Sequence, residues 1–211
     1  MKARSSFSIF ALRTACALLR PLHSKKLKTL AARNRDNVRL HLGAGGVNFN
    51  GWINIDYSFR VKPDVALNLT RPLPLKDNCA AFIYTEDFLE HLDYEDGRAL
   101  LRECYRLLAP GGVLRVLTPD LNIVARQYLE RDPAALAWYA EQFGAKTPAQ
   151  MLNIAMRGME HRFLYDAETL STLLSDAGFD PRPAALNESD SPELRNLDQR
   201  KNSLVFDAVK R

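Results

Sequence analysis

The sequence predicts an α/β fold, a mainly parallel sheet covered by helices on both faces that binds ligands beyond the carboxyl ends of its strands. Three observations carry this reading. From Val38 onward, short apolar runs alternate with segments of helical periodicity. The first two runs end in ligand-type residues, the glycines of "LHLGAGG" and the Asp56 of "GWINID". The 211-residue chain, 46% hydrophobic and 26% charged, has the size and composition of one globular domain.

Taken in order, the runs Val38 to Leu42, Trp52 to Ile55, Val65 to Leu67 and Ala81 to Tyr84 read as the first four strands. A helix follows in "DYEDGRALLRECYRLLAPGG", where Leu100, Leu101, Cys104, Leu107 and Leu108 share a face. Asp93 is its expected N-cap, and Pro110-Gly111-Gly112 is expected to stop it. Val113 to Leu117 is the fifth strand, closed by Thr118-Pro119-Asp120. Residues 121 to 162 then break the alternation with helical segments at Leu121 to Leu129, Pro133 to Phe143 and Ala149 to Arg157, an expected insertion above the sheet. In "DAETLSTLLSDAGF", Leu170, Leu173, Leu174 and Ala177 share a helical face, with Asp166 and Gly178 as its caps. A run near Pro183 to Leu186 and a strand at Ser203 to Val209 complete the pattern. The organisation is therefore a basic amphipathic arm, 1–36, and one domain, 37–211.

Charge separates these two parts. Residues 1–39 hold ten Lys or Arg against one acid, Asp36, a net +9 in a chain whose total is +4. The remainder is mildly acidic, which argues against a nucleic-acid-binding face. The apolar stretch from Phe7 to Leu19 is interrupted by Arg13, too short to span a bilayer and unlike a signal peptide. Two readings of the arm stand side by side. Residues 2–35 lie on anionic lipid, apolar side down, or they form a helix that packs on its own domain. Cys16, Cys79 and Cys104 are odd in number and widely spaced, so no disulfide framework is expected and a reducing cytoplasm fits best. The localisation expected is cytoplasmic, with peripheral contact at the inner membrane surface if the lipid reading holds.

The glycine turn limits the choice of ligand. A dinucleotide site wants a third glycine, where this chain has Asn48, and an acid about 20 residues on, where Asp56 comes sooner. Nine residues separate Leu42 from Trp52, too few for a helical crossover. Without that helix a diphosphate loses its partner dipole. An adenosine ligand without phosphate, such as S-adenosylmethionine, fits better. Asp56 would accept its ribose hydroxyls, each such bond to a charged acceptor contributing roughly 1.5 to 3 kcal/mol.

At these residues the chain resembles a known family. "LHLGAGG", "GWINID", "LNLTRPLPLKDNCAAFIYTEDFLEHL", "ECYRLLAPGGVLRVLTPDL" and "HRFLYDAETLSTLLSDAGF" look like the successive motifs of class I S-adenosylmethionine-dependent methyltransferases. They are most similar to the short bacterial type associated with surface-polysaccharide biosynthesis. The resemblance implies a Rossmann-like sheet of seven strands, the last antiparallel. It also implies cofactor contacts at Gly43, Ala44, Gly45 and Gly46 (methionine part), Asp56 (ribose), Asn68 and Leu69 (adenine) and Glu86 beside the cofactor. Many relatives have Asp where Asn68 stands, and the missing first helix is shared by the short subgroup, with the basic arm filling part of its place.

Methyl transfer to a hydroxyl needs positioning and somewhere for a proton to go. His161, His91 and Asp120 are the catalytic candidates. Each has a plain alternative: fastening the insertion, a capping or buried role, and capping the helix at Leu121, respectively. His41 reads as a buried structural histidine. Trp138, Tyr139, Phe143, Met151 and Met156 read either as acceptor-pocket lining or as core. No group has metal-ligand spacing, so metal-independent transfer is expected. The function expected is O-methylation of a sugar or glycolipid precursor, with a small-molecule or glycan acceptor. Methylation of another small molecule at O or N, or a cofactor-binding module without turnover, are the alternatives, and a nicotinamide-dependent oxidoreductase is more distant.

Overall fold

Six of the seven strands expected from the alternation are present where expected in the computed structural model, which describes residues 14, 16–34 and 37–211. The strands are β1 (Val38–Leu42), β2 (Ile53–Asp56), β3 (Val65–Ala66), β4 (Ala80–Glu86), β5 (Leu108–Pro119), β6 (Phe179–Pro183) and β7 (Ser203–Lys210). All seven form one sheet in the order β3-β2-β1-β4-β5-β7-β6. The pairs from β3 to β5 are parallel, whereas β7 runs antiparallel to both β5 and β6. The expected sheet with a final antiparallel strand is therefore the one that forms. It resembles a Rossmann sheet in having its order reverse at β1 and β4, where ligand crevices open.

Alternation along the strands gives the sheet two different faces. Leu40, Ile55, Ile83, Leu114, Val116 and Phe206 point into the main core, which is closed by helices α1 (Arg20–Arg33), α2 (Tyr94–Leu107) and α6 (Ala167–Asp176). In α2, Leu100, Leu101, Cys104 and Leu107 make the buried stripe as expected. Leu27 of α1 is fully buried in the same core, the His23 Nδ1 accepts the Ala66 N–H, and Arg20 bonds the Pro72 carbonyl. The described part of the basic arm thus packs along β2 and β3, on the side where no helix fits between β1 and β2. The rest of the arm lies outside the described residues. Among those described, no helix is long and apolar enough to cross a membrane.

Irregular chain packs the second face. Phe49, Trp52, Tyr84, Val113, Leu117, Leu194 and Val205 form its apolar cluster. Beside them Arg115, fully buried, reaches Asp198 at 2.6 and 2.9 Å, Asp207 at 2.8 Å and the Ala185 carbonyl at 3.0 Å. Loops have no internal hydrogen-bond ladder, so a buried loop needs such partners to satisfy its polar groups. His41 lies on this face too. Its ring stacks on Phe49 at 4.4 Å and bonds Asn54, and burial pushes it down to about 4, in keeping with the structural role expected of it.

The insertion consists of α3 (Leu121–Leu129), α4 (Pro133–Phe143), α5 (Pro148–Asn153) and a π-helical turn, Ile154–Gly158. It has its own small core of Val124, Ala135, Tyr139, Met151 and Ala155. Tyr139 and Met151 are thus core residues, while Trp138 and Met156 are exposed.

Several local expectations are corrected. The sixth strand is Phe179–Pro183 and not Pro183 to Leu186, because β6 lies at the sheet edge, where prolines at 181 and 183 cost little pairing. Leu108 begins β5 and does not end α2. Residues 109–112 are absorbed as an irregularity, Ala80 pairing with Leu108 and Phe82 with Val113. Asp93 occupies the N-cap position of α2 as expected, but its side chain makes no capping bond, its carboxylate being taken by Arg162 at 2.7 Å.

Candidate active site

Parallel strands bring their carboxyl ends to one rim, and the predicted residues collect there. After β1 the chain turns at Gly43 with φ +69°, and the N–H groups of Gly43 and Ala44 both donate to the Ile55 carbonyl of β2. A side chain at Gly43 would meet the Phe88 ring at 2.3 Å, so the turn is seated on the chain just beyond β4. Gly45 and Gly46 are different. A Cβ at Gly46 would meet nothing within 4 Å, and one at Gly45 only the Gly43 carbonyl at 3.9 Å. This side of the turn is open backbone, of the kind a ligand approaches closely.

Asp56 ends β2 nearly buried. One of its carboxylate oxygens accepts the Gly45 N–H at 3.0 Å and the other the Ser58 N–H at 2.7 Å, so it sets the shape of the turn as well as standing beside it. Asn68, after β3, accepts both the Thr70 N–H and hydroxyl at 3.0 Å, and the Leu69 side chain is spent in the core. Glu86, at the end of β4, accepts the N–H groups of Gln199 and Arg200 at 2.9 and 2.8 Å and the Tyr84 hydroxyl at 3.1 Å. Burial pushes its carboxyl above the usual carboxylate range. Together with the Asp87–Arg200 ion pair at 2.8 Å, it latches residues 199–200 over the strand end.

The catalytic candidates separate. Asp120 takes the capping role, accepting the Asn122 N–H at 2.8 Å at the start of α3. His91 and His161, 70 positions apart in sequence, come together edge to face with ring centres 5.0 Å apart. His161 Nδ1 lies 2.7 Å from the Ala155 carbonyl and His91 Nδ1 3.3 Å from that of Glu160. Burial lowers the basicity of His161.

Sequence reasoning passed over the residue between them. Glu90 is fully buried, its Oε2 accepts the Thr118 hydroxyl at 3.1 Å, and burial pushes its carboxyl up to about 8. Its carbonyl holds the Arg162 and Phe163 N–H groups at 2.7 and 3.2 Å, fixing the chain that carries His161. The adjacent acid and histidine in "FLEHL" were the available signal, but burial of the acid is a fact of the fold.

Comparison with known proteins shows the family of the chain. Residues 47–183, well over half of the chain, match the family described as a methyltransferase domain. The chain belongs to that family. Its fold is shared with an S-adenosylmethionine-dependent methyltransferase of Archaeoglobus fulgidus at TM-score 0.53 and 18% identity, over 90% of this chain and 94% of that one. A second such enzyme, from Thermotoga maritima, gives 0.53 and 19% over 96% and 93%. An O-methyltransferase family protein of Burkholderia thailandensis gives 0.52 and 14%, over 98% of this chain and 60% of that one. No curated protein matches the sequence.

Proposed function

We propose that the chain moves the methyl group of S-adenosylmethionine to a hydroxyl of a sugar or glycolipid precursor of surface polysaccharide. One observation carries the reading: an open glycine turn beside Asp56 and a buried acid with two histidines stand on the same rim of strand ends. The cofactor supplies an electrophilic methyl carbon. When the acceptor oxygen bonds to it, the carbon–sulfur bond breaks and its electron pair stays on sulfur.

The residues do the rest by position. The Gly45–Gly46 backbone offers a close approach for the methionine part, and the Asp56 carboxylate a partner for the ribose that it would share with the Gly45 N–H. Asn68 and the backbone at Leu69 flank the adenine side, and Glu86 holds residues 199–200 across the rim. The acceptor's proton is lost to water at the end of the rim where Glu90, His91 and His161 cluster. Exposed Leu18, Leu19 and Leu22 beside the exposed Lys25, Lys26 and Lys28 favour peripheral contact with an anionic membrane, where a glycolipid acceptor would be met.

Calorimetric titration with S-adenosylmethionine and S-adenosylhomocysteine, with NAD as control, tests the cofactor. Binding of the first two alone is expected, and Asp56→Ala should weaken it more than tenfold while the fold is kept. Binding of NAD in their place would overturn the reading. Transfer of a labelled methyl group to a sugar or glycolipid fraction tests the acceptor. Cofactor affinity with no transfer to any fraction would favour a binding module.

A further inference from the structure

Glu90 is without solvent exposure, and its Oε1 has no hydrogen-bond partner although Oε2 holds the Thr118 hydroxyl. A buried carboxylate oxygen left without a donor is costly, so its position asks for a positive charge or a donor. Two imidazoles stand next to it. Donor atoms of Glu90, His91 and His161 all lie within 4.8 Å of one another.

What those imidazoles present follows from their other nitrogens. A backbone carbonyl only accepts, so the Nδ1 facing Ala155 O and the Nδ1 facing Glu160 O each carry the ring proton. Both Nε2 atoms are then lone pairs. Two lone-pair nitrogens and an ionised carboxylate do not satisfy one another, and a proton on Glu90 would serve only one of the two nitrogens, whereas a cation satisfies all three. Orientation of a ligating histidine by a carbonyl on its far nitrogen is the usual outer shell of a metal site. The backbone that supplies these carbonyls is itself unusual. Ala155 lies in the π-helical turn, and Glu160 has φ +64°.

We propose that Glu90, His91 and His161 bind one divalent transition-metal ion, zinc by the nature of the donors, through a carboxylate oxygen and two Nε2 atoms. Two histidines and a glutamate with a fourth position open form a known catalytic zinc set, with bonds of about 2.0 to 2.2 Å. The ion's part in the reaction rests on the proposed methyl transfer, since an acceptor hydroxyl bound to it gives up its proton nearer neutral pH. Its binding does not rest on that reading.

The test titrates the metal-free full chain with Zn²⁺ by calorimetry and with Co²⁺ by visible absorption. Wild type is expected to take one ion per chain, with Co²⁺ bands that lack sulfur charge transfer. Glu90→Gln, nearly isosteric, and His161→Ala, each checked for fold by circular dichroism, should each weaken binding at least about tenfold. Absence of stoichiometric binding by folded wild type, wild-type affinity in both variants, or a thiolate band from Cys16, Cys79 or Cys104 would overturn the proposal. S-adenosylmethionine affinity, measured separately, tells its failure from that of the methyltransferase reading.

Discussion

Gly43→Ala tests whether the glycine turn is seated as described. The new methyl group would lie 2.3 Å from Phe88 Cγ and 2.6 Å from its Cβ and Cδ2, against 3.4 Å or more for ordinary contact. Rotating the ring relieves only part of this, because the Phe88 Cβ is itself too close. Backbone after β4 or the turn itself must move. Overpacking of this kind costs about 1 to 3 kcal/mol, and an L-residue held at φ +69° costs about 1 to 2 kcal/mol more. The variant should therefore lose about 2 to 5 kcal/mol in urea unfolding, and cofactor affinity should fall because the open side of the turn moves with it. In a Phe88→Gly background the obstruction is gone, and the same substitution should cost only about 1 to 2 kcal/mol. Equal penalties in the two backgrounds, or a loss below about 0.5 kcal/mol in wild type, would refute the reasoning.

Two further outcomes are expected. Arg115→Met leaves Asp198 and Asp207 without their buried cation and should cost about 3 to 5 kcal/mol in urea unfolding, with much of it recovered when both acids are also changed to Asn. Recovery of nothing would mean that the arginine acts by packing alone. His41, held down to about 4 against 6.5, is protonated in the unfolded chain before the folded one. Its share of stability is complete above its unfolded value and is lost as pH falls, by about 2 kcal/mol from about pH 7 to about pH 5. His41→Gln should flatten that part of the pH profile, and an unchanged slope would assign the loss to another group.

How far the sequence could be read depended on whether a feature was local. The runs of β1, β2, β4 and β5, the leucine stripe of α2 and the Asp166 cap are carried by neighbouring residues, and all are found where their periodicity puts them. Local rules misplaced β6, since Pro181 and Pro183 argue against a strand until the strand is known to be an edge. The glycine turn was legible as a turn, but the seat supplied by Phe88 joins residues far apart in sequence. Metal-ligand spacing was sought along the chain, whereas His91 meets His161 only after the insertion folds back to Glu90. Arg115 did leave a trace, a charge within the apolar run "VLRVL", whose explanation needed the two acids.

That same arginine bears on how the chain is made. It sits on β5, yet its partners Asp198 and Asp207 come 83 and 92 residues later and so leave the ribosome well after it. Synthesis delivers β1 to β5 first, with a bare guanidinium on the face that must later be sealed. Until Asp198 and Asp207 arrive, that charge opposes dry packing of the half-built sheet, so closure of this face waits on them. A chain interrupted late in translation would keep its crevice-forming strands and still lack the means to close the side behind them.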